Sequence, residues 1–104
     1  GFKLWYLQGA SATYLEDARV AVKGMDLDVF EGDEGKELDM RIKAAEAIYE
    51  PDQRVVHGDG GVFVDGIFYN IEGNSWHYSQ DDRVVKVTDN VKVVIAYELD
   101  AFLK

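Results

Sequence analysis

The sequence predicts an α+β domain, an antiparallel meander of about four to five strands with two to three helices packed on one face. Three observations carry that expectation. Leu38, Ile42, Ala45 and Ile48 recur at helical spacing until Pro51 forbids continuation. Beyond Pro51, short β-branched and aromatic runs alternate with glycine-bearing breaks, the pattern of antiparallel hairpins. The 104 residues, 47% of them hydrophobic, suffice for one core, and no linker or repeat divides them, so a single domain over residues 1–104 is expected.

The elements follow in order. Phe2, Leu4 and Tyr6 alternate with Lys3, Trp5 and Leu7, which suits an opening strand buried on both faces. This stretch is too short to span a bilayer and lacks the architecture of a secretion signal. Thr13 and Glu16 are spaced as a capping box, Leu15, Ala18 and Val22 share a helical face, and Gly24 follows Lys23 as a stop. They predict a helix over about 13–23, with a strand through Arg19 to Val22 as its competitor, because Val20 and Val22 are β-branched. Met25, Leu27 and Val29 alternate with Asp26 and Asp28 as a half-buried strand with an acidic outer face. A turn over Glu31 to Gly35 leads into the helix that starts at Asp33 or Glu34.

Strands then run from Arg54 to His57, Val62 to Asp65 and Ile67 to Glu72, separated by Gly58-Asp59-Gly60-Gly61 and by Asp65-Gly66. After the Gly73-Asn74 turn, Trp76 and Tyr78 alternate with Ser75 and His77, and Arg83 to Thr88 forms a further strand. Val91 to Leu103 fits both periods; a helix after Asp89 or Asn90 is the favoured reading.

Charge and chemistry exclude more than they name. Twenty acidic and eleven basic residues leave a net −9, which repels phosphate backbones and argues against direct nucleic-acid binding. With no cysteine, thiol nucleophiles, disulfides and thiolate metal sites are excluded, and a cytoplasmic setting is expected. His57 and His77 lie far apart and match no ligand spacing, so a shared zinc site has little support. Gly58 to Gly61 lacks the following helix that a phosphate loop needs, and Asp26-x-Asp28 departs from a calcium loop at Phe30 and Glu31. Ser11, Ser75 and Ser79 have no glycine-flanked elbow. No catalytic residue, metal or cofactor is therefore expected.

What stands out is charge placement. Asp26, Asp28, Glu31, Asp33, Glu34, Glu37 and Asp39 face only Lys36 within residues 26–39, a net −6 of the total −9. A helix amino terminus accounts for Asp33, Glu34 and Glu37, but not for Asp26, Asp28 and Glu31 crowding the same end. The expectation is a docking surface for a basic protein partner, as in an inhibitor or immunity protein that occupies a nucleic-acid-binding site. Aromatic anchors would supply affinity, with Tyr69 and either Trp76 or His77 as the exposed members of a set that includes Phe68, Tyr78 and Trp5. The alternatives are a homo-oligomerising assembly protein that uses an exposed sheet edge and a small enzyme centred on His57 or His77.

Overall fold

A computed structural model of the chain describes residues 4–31 and 37–95, and every regular element among them is a strand. In chain order these are β1 (Leu4–Gln8), β2 (Ser11–Tyr14), β3 (Val20–Glu31), β4 (Glu37–Glu50), β5 (Val55–Gly58), β6 (Val62–Gly66), β7 (Tyr69–Gly73), β8 (Ser75–Ser79), β9 (Val84–Thr88) and β10 (Lys92–Ile95). They build one curled antiparallel sheet, a half-barrel, through which the path β10-β7-β6-β4-β5-β8-β9 runs, with β3 on the other side of β4 and β1 and β2 both on β3.

The ten segments are six long runs, most of them broken near the middle. β1 and β2 follow one another along β3 in a single register, from Trp5↔Val29 to Thr13↔Ala21. β6 and β5 follow one another along β4, β7 and β8 along β6 and β5, and β10 and β9 along β7 and β8. The chain is thus an up-and-down meander of six runs. The breaks fall on one line across the sheet: Gly9-Ala10, Gly24, Ala45, Asp59 to Gly61, Asn74 and Asp89 to Val91.

This line is a crease, and alternation shows it. Val22 and Met25 are both buried, as are Ala44 and Ala47, although three positions separate each pair. In a regular strand residues three apart face opposite sides. Both β3 and β4 therefore reverse their inward side at Gly24 and Ala45. Gly24 has φ +62°, a conformation that side chains with a Cβ rarely adopt. The strand running between two halves of a sheet bends at such points.

On the inner side, Val22, Met25, Leu27, Val29, Met40, Ile42, Ala44, Ala47, Val56, Val62, Val64, Trp76 and Tyr78 make one buried cluster. Leu27, Ile42 and Val64 have no exposed surface at all, so each contributes roughly 1.5–3 kcal/mol of burial. Half-buried Trp5, Tyr49, Ile71 and Val87 extend it. Trp5 meets Tyr49 edge-on at 5.6 Å.

The α+β expectation is therefore overturned: no helix exists among the described residues, none packs on a face of the sheet, and the strands outnumber the four or five expected. The supposed helix over 13–23 is the end of β2, a loop held by Leu15 N–H on the Arg19 carbonyl, and the start of β3. The competing strand reading was the correct one there. The supposed helix ending at Pro51 is β4, and its helical stripe is not the buried face: of Leu38, Ile42, Ala45 and Ile48 only Ile42 is buried, while Leu38 and Ala45 are exposed and Ile48 is half-buried. The buried positions are 40, 42, 44 and then 47, a step of two that becomes a step of three at the crease. Ala44, Ala45, Glu46 and Ala47 are also good helix formers, a local preference that pairing with β3, β5 and β6 overrides. The favoured final helix begins as β10, and residues 96–103 lie outside the described residues. No helix of the described residues is long and apolar enough to cross a membrane.

Candidate functional site

Three outward-facing features carry polar or apolar groups that the core does not use. The first is the acidic strand pair. Asp26 and Asp28 stand on the outer side of β3, opposite Lys43 and Arg41 of β4 in the ladder. Arg41 Nε donates to Asp28 Oδ1 at 2.6 Å and Nη2 to Oδ2 at 3.3 Å, a two-pronged pair that holds the Arg41 guanidinium firmly protonated. Asp65 of β6 is the register partner of Arg41 on the other side. Gln8, Asp26, Asp28, Arg41 and Lys43 line a shallow depression of about 160 Å³. Asp26 and Asp28 thus face cations of their own sheet. Glu31 and Glu37 are register partners that close the β3–β4 hairpin, and Asp33 and Glu34 lie outside the described residues. Asp39 is half-buried. Its charge adds to a larger effect of burial in pushing the Tyr69 and Tyr78 phenols above their ordinary range.

The aromatic anchors divide differently from their sequence positions. Trp76 is 4% exposed and belongs to the core, so it offers no surface anchor. Its Nε1 has no hydrogen-bond partner and lies against Gly58, where a Cβ would stand 2.5 Å from it and 2.8 Å from the Glu46 carbonyl. Glycine at 58 is what lets β5 pass over the indole. Tyr69 is half-buried against the core, while Phe68, at the tip of the β6–β7 hairpin, is exposed. His77 is exposed on the outer side of β8.

The second feature is a histidine pair. His57 of β5 and His77 of β8 are register partners, and their rings stack 14° from parallel with centroids 6.3 Å apart. Glu50 Oε2 contacts His57 Nε2 at 2.5 Å. A cleft of about 350 Å³ includes both rings, Glu50, Asp59 and Lys86. Ser75 also lines it, but its hydroxyl donates to Asp89 Oδ2 at 3.3 Å rather than to an imidazole. Sequence spacing missed this pair for a definite reason. Val62 faces Gly73 across β6 and β7, but Gly58 faces Trp76 across β5 and β8, so the ladder slips by one residue at the crease. Counting back from the Ile67-Phe68 turn without that slip would set His57 opposite Tyr78.

The third feature is the outer edge. Among the described residues β10 pairs with β7 on one side only, and all four of its residues are exposed, Val93 at 53%, Val94 at 45% and Ile95 at 61%. At the far end of the meander, β1 and β2 likewise pair with β3 alone. The half-barrel is open, and both ends of its strand order are edges among the described residues. The signal for β10 was present in the alternation of Val91, Val93 and Ile95, but the competing helical stripe obscured it. The fold and these surfaces define an all-β domain with open edges. The chain matches no protein-family model and no curated protein sequence.

Proposed function

We propose that the chain is an assembly subunit whose open sheet edge accepts a further strand from a second copy. The observation that carries this reading is β10. Among the described residues its outer side has no strand partner, and its valines and isoleucine present apolar surface on both faces. Such an edge is a template for strand addition unless charge, proline or a bulge blunts it. Lys92 is the single charged residue of β10, and the strand holds no proline. Asp89 and Asn90, both with positive φ, lie in the bend before it and not within the strand.

Light scattering across a hundredfold concentration range tests the proposal. A concentration-dependent dimer or longer chain is expected, and Val93→Lys with Ile95→Lys should return it to monomer. A monomer at every concentration overturns the reading.

The second reading is docking of a basic protein partner on the acidic segment. The net −6 between Asp26 and Asp39 supports it, since clustered charge speeds encounter with a basic surface. In this reading Asp26→Asn, Asp28→Asn and Glu31→Gln together weaken binding, and raised salt weakens it further. A complex indifferent to salt overturns it.

A further inference from the structure

We propose that His57 and His77 form a two-imidazole site for a borderline divalent transition-metal cation such as Cu2+ or Zn2+, held across β5 and β8, with Glu50 as the supporting carboxylate. The inference rests on side-chain geometry on the outer side of the sheet and does not depend on the assembly reading. Register partners on one face have Cβ atoms roughly 4.5–5.5 Å apart, a span that two imidazoles close around one ion at about 2.0–2.1 Å from each nitrogen. Both rings already point to the same side and stack 14° from parallel. His77 is exposed and His57 retains 29% of its side-chain surface, so ring rotation meets little packing resistance.

Glu50 supplies the second part of the argument. A carboxylate on one ring nitrogen of a histidine fixes the proton there and leaves the other nitrogen as an electron-pair donor. Glu50 occupies His57 Nε2, so Nδ1 is the nitrogen this contact leaves available. The same pairing of carboxylate and imidazole recurs behind metal-bound histidines, where it orients the ring and raises its basicity. Asp59 also lines the cleft and adds negative charge. Lys86, the register partner of His77 on β9, opposes a cation, but its exposed ammonium sits on a flexible stem and can swing away. Among the described residues no three groups of ligating type already stand in coordinating positions, so the arriving ion draws the two rings together and water completes its shell. Imidazole selects Cu2+ and Zn2+ over Mg2+ and Ca2+, which prefer oxygen.

Calorimetric titration of the full chain with CuCl2, ZnSO4 and MgCl2 tests the site, alongside His57→Ala, His77→Ala and Glu50→Gln variants checked for folding by circular dichroism. One saturable Cu2+ and Zn2+ site is expected, weakened at least tenfold by either histidine substitution and about tenfold by Glu50→Gln. The Cu2+ spectrum in electron paramagnetic resonance should show two coordinated nitrogens, falling to one in each histidine variant. Lys86→Ala should tighten binding. Absence of saturation at millimolar metal, unchanged binding in either histidine variant, or equal binding of Mg2+ overturns the proposal. Should a variant fail to fold, the nitrogen count in the unaltered chain decides alone.

Discussion

Ile42 and Ile95 are the same residue type in the same sheet, yet Ile42 has no exposed surface and Ile95 is 61% exposed. Ile42 sits on β4, which has β3 on one side and β5 and β6 on the other. Ile95 sits on β10, whose described pairing is to β7 alone. The difference teaches that burial in this half-barrel follows position in the strand order. Both neighbourhoods are apolar in sequence, and the centre uses that surface for the core while the edge leaves it available.

The largest expected effect lies at the centre. Ile42→Ala removes a fully buried side chain between β3 and β6 and should cost about 2–5 kcal/mol. Urea unfolding measures it. A loss below 1 kcal/mol would mean that the centre is no better packed than the edge.

Next comes the crease. Gly58→Ala would place a Cβ against the Trp76 indole and the Glu46 carbonyl, and the backbone atom cannot swing aside as a side chain does. Overpacking of this kind should cost about 1–3 kcal/mol. Trp76 fluorescence during denaturation reports it directly, because the indole is the group displaced. An unaltered midpoint would show that the two halves adjust freely about the fold line.

These sites also mark how far the sequence could be read. The hairpin signals after Pro51 were legible because glycine breaks and β-branched runs are local, and β6, β8 and β9 fall close to where they were expected. What could not be read was the crease. At Val22 and Met25, and again at Ala44 and Ala47, a fold line across several runs changes the period of the pattern, and no single segment reveals that its neighbours bend at the same place. The helical stripe before Pro51 ran across this line, whereas Leu15 and Ala18 of the one assigned to 13–23 lie in the loop between β2 and β3. The candidate surfaces suffered similarly. The crowding of Asp26 and Asp28 was visible, but their opposition to Lys43 and Arg41 needed the β3–β4 register, and the meeting of His57 with His77 needed the slip.

A smaller effect is expected on the outer side. Asp28→Asn keeps the shape but removes the charge from the Arg41 pair. Asp28 retains 19% and Arg41 40% of side-chain exposure, so solvent screens the loss to well below that of Ile42→Ala. High salt should narrow the gap between the variant and the original chain. A loss as large as that of Ile42→Ala would mean that the outer ladder, and not the inner cluster, holds the centre together.

The smallest effect on folding belongs to the edge, and it separates the two regions most sharply. Val93→Thr, Val94→Thr and Ile95→Thr keep the branching at Cβ that suits a strand while exchanging exposed apolar atoms for polar ones. Substitutions at exposed positions change stability by about 0.5 kcal/mol or less each, and the side chains altered here are about half exposed. The triple variant should therefore unfold near the original midpoint. Association should fall all the same, because the altered atoms are those that a strand added beyond β10 would cover. Measured together, unfolding and light scattering distinguish two origins for the apolar character of this strand. Loss of association with stability retained assigns it to a partner. Loss of stability with association retained assigns it to the fold, and the contrast between Ile42 and Ile95 would then be one of degree.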